Sequence, residues 1–145
     1  MPRPDVIDAI ARAGIAVSAT LGFVPGFAPP PRIAARVDGF VANLRRMRDA
    51  GVKVVCSSDA GIGPPKPHDV LPYGAAILVE CGFPPIAALR AVTSLAGQVC
   101  RIGERKGRLA PGFDADLLAV EGDPLVDVTA LRAVTAVFRA GHRVR

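Results

Sequence analysis

Apolar positions along this chain switch between two spacings, and the switches mark its elements. Val6, Ile7 and Ile10 stand at helical spacing behind Pro4 and Asp5, and Gly14 follows. A helix opened by a proline and stopped by a glycine is expected there. Ile15 to Leu21 is a short apolar run of small and β-branched residues, which reads as a buried strand. Phe23 to Pro31 is dense in proline and glycine and must be a loop. From Arg32 to Ala50, the residues Ile33, Val37, Phe40, Val41, Leu44 and Met47 recur at steps of three and four. This spacing predicts one amphipathic helix with that stripe buried and Arg36, Asp38, Asn43 and Arg46 on its other side. Gly51 ends it, and Val52, Val54 and Val55 begin a second buried strand. Helix, strand, loop, helix, strand is the order of a parallel pair joined by a right-handed crossover.

Ile62 to His68 is a second proline-rich loop, at the same end of the sheet as the first. Asp69 is placed to cap a helix running to Glu80, which Gly82 terminates. Pro84 and Pro85 open a helix reaching Val99, with Ile86, Leu89, Val92, Leu95, Ala96 and Val99 as its buried face. Thr93 and Ser94 interrupt it, and their hydroxyls are expected to bond carbonyls one turn back. After Arg101 the texture changes. Gly103 to Gly112 is rich in turn residues, and Pro111-Gly112 is a turn. Leu117 to Val120 is a short strand, Asp123-Pro124 a turn or cap, and Asp127 to Arg132 a single helical turn. Val134 to Arg139 alternates as an edge or half-exposed strand does, and Gly141 and His142 make a last turn. The expectation is an α/β part followed by a small β-unit.

Composition agrees with this. Half of the 145 residues are apolar but only 5% are aromatic, and there is no Trp, so small aliphatics must fill the core. That suits α/β layers better than an aromatic-rich sandwich. The length suits one domain or a piece of a larger one. The net charge of +5 comes almost wholly from arginine. Arg45, Arg46 and Arg48 suggest a nucleic-acid surface, but they fall on the polar side of the expected helix with no aromatics interleaved. A solvated helix face explains them, and no nucleic-acid partner is expected. Cys56, Cys81 and Cys100 lack metal-type spacing and lie in or beside apolar segments, as buried free thiols in a reducing compartment do. Pro2, Asp5 and Asp8 do not fit a secretory leader, and no apolar stretch is long enough to span a membrane. A soluble cytoplasmic protein is the expectation.

Candidate chemistry centres on Gly51 to Gly61, GVKVVCSSDAG. Asp59 falls just past the carboxyl end of the expected strand, where ligands and chemistry collect in α/β folds. A carboxylate there can ligate a metal or act as a general base. It can equally cap the turn that follows. His68, in the next loop, can contact a substrate or metal or simply face water. His142 reads as a surface residue.

The chain from Gly51 onward resembles the C-terminal part of the amidohydrolase superfamily, in its imidazolonepropionase-like and prolidase-like branch. GVKVVCSSDAG looks like the last barrel strand with its Asp. Gly82, Pro85, Ala88, Leu89 and Thr93 match a G-x-x-P-x-x-A-L-x-x-x-T pattern. Gly107, Leu109, Pro111, Gly112, Ala115 and Asp116 match a G-x-[apolar]-x-P-G-x-x-A-D-[apolar]-[apolar] pattern, and AVTAVFRAGHRVR looks like the closing strand of the small β-domain. Asp5 to Leu21 is similar to the preceding barrel unit, more loosely. Ser57 and Ser58 depart from the Gly and Thr usual before the Asp.

The resemblance implies a partial TIM-like (β/α) barrel, its last two βα units in residues 1–102, followed by the C-terminal strands of a small composite β-domain in residues 103–145. It implies a metal-dependent hydrolase of carbon–nitrogen bonds in small amides or dipeptides, with one or two divalent metals, often zinc. Asp59 carries over as metal ligand and as acceptor of the attacking water's proton. The family's remaining ligands are a His-x-His pair, a mid-barrel Lys or carboxylate and two further histidines; none is in this chain. A complete barrel takes about 250 residues, and a catalytic zinc takes three protein ligands. Two readings follow. The chain is a truncated, inactive part of an amidohydrolase that does not hold zinc tightly alone, or it is a non-catalytic module that completes a split barrel with a partner chain; a partner chain or a homo-oligomer is the expected association. An open two-stranded sheet is expected to show unpaired edges and an uncovered apolar face.

Overall fold

The computed structural model describes residues 4–145, so Met1, Pro2 and Arg3 of the first expected unit, with the Pro2 of the leader argument, lie outside the described residues. Two sheets carry the fold. Strand β1 (Ala16–Thr20) pairs in parallel with β2 (Lys53–Ser57), Val17 beside Val54 and Ala19 beside Cys56. Strands β3 (Leu117–Val120), β4 (Val134–Arg139) and β5 (His142–Arg143) form an antiparallel sheet with β4 in the middle. Val134–Arg139 is therefore half-exposed, as its alternation implied, but central rather than an edge. His142 lies in a short strand, because Ala140 and Gly141 make the turn with positive φ and β5 folds back onto β4.

Helix α1 (Pro4–Arg12) leads into β1, and α2 (Pro31–Ala34) and α3 (Val37–Asp49) lead into β2. The single helix expected from Arg32 to Ala50 is broken at Ala35 and Arg36, and Ile33, Val37 and Phe40 are 42–49% exposed. The stripe is buried only from its second half, at Leu44, because α2 and the first turn of α3 have no layer packed over them. Helices α4 (Leu71–Glu80), α5 (Pro85–Val92) and α6 (Ser94–Val99) follow β2. Asp69 does not cap α4; Val70 occupies that position, with Pro72 in the first turn. The break between α5 and α6 is at Thr93, whose hydroxyl donates to the Leu89 carbonyl at 2.7 Å. The two helices turn different faces inward than one continuous helix would. Ala88, Ala91 and Gly97 are buried, whereas Ile86 and Val99 are exposed. Several helices end alike: Val52 N–H reaches the Met47 carbonyl and Phe83 N–H reaches that of Leu78, each around a glycine with positive φ (Gly51, Gly82).

The larger core cluster joins Ile7 from α1, Ala19 and Leu21 at β1, Leu44 from α3, Val52, Val54 and Cys56 at β2, Leu78 and Cys81 from α4, and Ala88 and Ala91 from α5. Each buried leucine contributes about 1.5–3 kcal/mol relative to exposure. Close approach of α4 to the strands depends on Gly74, where a Cβ would stand 2.5 Å from Cys56 Sγ and 3.1 Å from the Leu21 carbonyl oxygen. A smaller cluster, Ala75 with Val128 and Leu131, seats the 3-10 turn Val128–Arg132 on α4, and Arg132 stacks over the Tyr73 ring. Among the described residues, no helix is long and apolar enough to cross a membrane.

Candidate functional site

Alternation along the parallel pair sorts its side chains onto two faces. Val17, Ala19, Val54 and Cys56 point into the core under the helices. The opposite face carries Ser18 and Thr20 of β1 with Val55 and Ser57 of β2, and the Ser18 and Ser57 hydroxyls are hydrogen-bonded. This corrects the expectation of an uncovered apolar face: Ser18 and Thr20 are exposed and polar, and Val55 is the one large apolar residue of that face and is itself buried.

Asp59 stands two residues past the end of β2, exposed, in the left-handed region at φ 52°. Aspartate tolerates that conformation better than most residues, at a cost of about 1 kcal/mol or more. The Ala60 N–H donates to Ser58 Oγ at 3.3 Å, and the Gly61 N–H to the Lys66 carbonyl at 2.8 Å, so the turn is held on both sides. The Asp59 carboxylate makes no hydrogen bond or ion pair with the described residues and does not cap α4. His68 is also exposed and lies over Gly61; a Cβ there would meet its Cε1 at 3.4 Å and its Nε2 at 3.7 Å. Asp59 and His68 thus share one strand-end loop without bonding each other. His142 is exposed in the other sheet. Among the described residues, no three His, Cys, Asp or Glu side chains come together as a metal site. Asp59 can give one ligand oxygen and His68 one nitrogen, which falls short of the three protein ligands zinc requires.

Sequence reasoning passed over Lys66. It is 3% exposed, the buried charged residue of this region. Its Nζ donates to the Thr20 carbonyl at 3.2 Å and the Ser58 carbonyl at 3.0 Å, and sits 4.7 Å from the centroid of the Phe23 ring. The available signal was a lone lysine set among Pro64, Pro65 and Pro67 in a loop at a strand's carboxyl end. The two strand-end loops are joined as well, Val24 N–H to the Pro65 carbonyl at 3.0 Å. Beneath them, burial pushes the Cys56 thiol up to about 11, against a smaller opposing pull from the Lys66 ammonium and a bond with the Leu21 backbone. Cys81 is raised by burial too, while Cys100 is exposed, contrary to the expectation that all three thiols are buried, because α6 ends there at the surface.

Arg48 is engaged structurally: its guanidinium bonds Asp49 Oδ1 and, at 2.7 Å, the Cys81 carbonyl at the end of α4. Asp116 has a structural post too. One oxygen accepts the Ala140 N–H at 2.8 Å and the other bonds Lys106, which also pairs with Asp114 at 2.9 Å. Two surface grooves of about 380 and 590 Å³ lie elsewhere, the first beside Ile7 and Arg46, the second beside Gln98 and Phe113.

Comparison with known proteins agrees with this architecture. The sequence profile of the amidohydrolase family matches residues 3–144. Among solved structures, the chain superposes on a molinate hydrolase with TM-score 0.81 and 20% identity, over 99% of this chain and 36% of that one. A Xaa-Pro dipeptidase with methionine bound in its active site gives 0.73 and 24%, over 98% and 33%. Ochratoxinase of A. niger gives 0.76 and 24%, over 99% and 35%. The chain thus spans about a third of the length of these solved relatives. No curated protein matches it.

Proposed function

This chain belongs to the amidohydrolase family, and from that premise we propose that it forms the closing part of a (β/α) barrel hydrolase acting on carbon–nitrogen bonds of small amides or dipeptides, with Asp59 as its contribution to the reaction. The observation that carries this reading is the placement of Asp59: an unpaired, exposed carboxylate just past the carboxyl end of a parallel strand, held in a braced left-handed turn. Barrel chemistry gathers at that end. In this reading residues 1–102 belong to the barrel and residues 103–145 to the small β-domain, as the change from the parallel to the antiparallel sheet suggests.

Asp59 accepts a proton from the water that attacks the carbonyl carbon, and a protonated carboxyl can return it to the departing nitrogen. Asp59 would also give one oxygen to a divalent metal, zinc in this reading, which would lower the pKa of the attacking water, with the other ligands supplied by the remaining barrel strands. Among the described residues, no set fits a metal centre by itself. The 145 residues are therefore inactive alone and act when a barrel is completed by further strands, on a partner chain or in a larger assembly. The uncovered apolar positions Ile33, Val37 and Phe40 favour that requirement. Three unbridged cysteines suit a reducing, cytoplasmic setting.

In the completed barrel, Asp59→Asn should lower kcat by about 10²–10⁴, the usual worth of a positioned acid–base group. Steady-state hydrolysis of N-acyl amino acid and dipeptide substrates measures it. Wild-type rates in the Asn variant, or turnover by the 145-residue chain alone with zinc, would overturn the reading.

A further inference from the structure

We propose that Lys66 is the positioning residue for Asp59, a buried ammonium that sets the strand-end turn rather than meeting the substrate. This rests on the reading of Asp59 given above. The ammonium has three N–H groups and no acceptor. Two go to the Ser58 and Thr20 carbonyls, and the Phe23 ring lies over the charge. The cation is thus occupied on the sides it presents and is 3% exposed, so it is not available as a nucleophile or as an anchor for a ligand. What it grips is specific. The Ser58 carbonyl belongs to the peptide unit that enters Asp59, so the Nζ bond fixes that plane. The backbone carbonyl of the same lysine takes the Gly61 N–H at 2.8 Å, on the far side of Asp59. One residue therefore brackets Asp59 from both sides, and the Thr20 carbonyl ties the bracket to the end of β1. Proline on either side, with the Lys66 N–H on the Gly63 carbonyl at 2.9 Å, stiffens the backbone that carries it. A left-handed aspartate costs energy and persists only when its surroundings dictate it. Here the surroundings are chiefly Lys66.

Amide hydrogen exchange, read residue by residue on the full chain, tests this. In Lys66→Met the Ala60 and Gly61 amides should exchange about tenfold faster, with the ladder amides of β1 and β2 within about twofold of wild type. Lys66→Arg, which keeps charge and donors, should restore Gly61 to within about threefold. If the Met variant does not fold, Lys66→Gln decides in its place, with Gly61 again losing protection ahead of the strands. Unchanged Gly61 exchange, or an equal loss throughout the strands, would overturn the proposal. In the completed barrel, Lys66→Met should lower kcat about tenfold with KM held, and Lys66→Arg should recover it. An Asp59→Asn variant that stays active would sink the role of Asp59 while leaving the exchange result to judge the bracket.

Discussion

At the scale of single residues, the three thiols separate by environment. Cys56 is buried and its thiol is pushed up to about 11, and Cys81 is buried and raised, so neither is a thiolate near neutral pH. Cys100 alone is exposed. At pH 8 one thiol per chain should react promptly with an aromatic disulfide reagent and two only on unfolding, since the thiolate is the nucleophile. Three prompt equivalents would contradict this burial. The same scale shows why the candidate site was only half legible. Asp59 announces itself, because a carboxylate after a β-branched run and before Ala-Gly is a local pattern. Lys66 does not. Its partners Thr20, Phe23 and Ser58 are far apart in the chain or lend only backbone carbonyls, which no side-chain pattern records.

At the scale of elements, the turn between β4 and β5 depends on charges. Lys106, first of all, holds the Asp114 and Asp116 carboxyls below the usual carboxylate range, with Arg105 and the Ala140 N–H adding to it; Asp116 and Asp114 in turn raise Lys106. A carboxyl lowered in the fold contributes stability that is present above its unfolded value, about 3.9, and is lost as pH falls through the folded one. A raised lysine contributes below about 10.4 and loses that contribution as pH rises through its folded value. The turn should therefore be firmest between about pH 4 and 10.4. Asp116→Ala should speed exchange of the Ala140 amide about five- to tenfold, the worth of one hydrogen bond, and leave β1 and β2 protected. Equal protection at Ala140 in the variant would count against it. The order of elements was readable because period and punctuation agree: Gly14, Gly51 and Gly82 stop helices where expected. Burial was not readable where the stripe outruns its neighbours. Ile33, Val37 and Phe40 keep perfect spacing, yet nothing in a local pattern says which layers will lie above them.

At the scale of the whole molecule, a parallel pair whose two outer edges are unpaired among the described residues stands beside exposed Phe23, Phe27, Ile33, Val37 and Phe40. Exposed edges and apolar surface are where chains join. The isolated chain should self-associate at micromolar concentration, seen as species heavier than one chain by sedimentation velocity; a sharp single-chain boundary would argue otherwise. The attachment between the two sheets has a different sequel. Covalently, they meet through the exposed stretch around Arg108 and Leu109, but Val128 and Leu131 also rest on Ala75, and Arg132 lies over Tyr73. A trypsin nick after Arg108 would therefore leave the two pieces migrating together under native conditions and parting only in denaturant, so that the backbone link there is dispensable once the chain has folded.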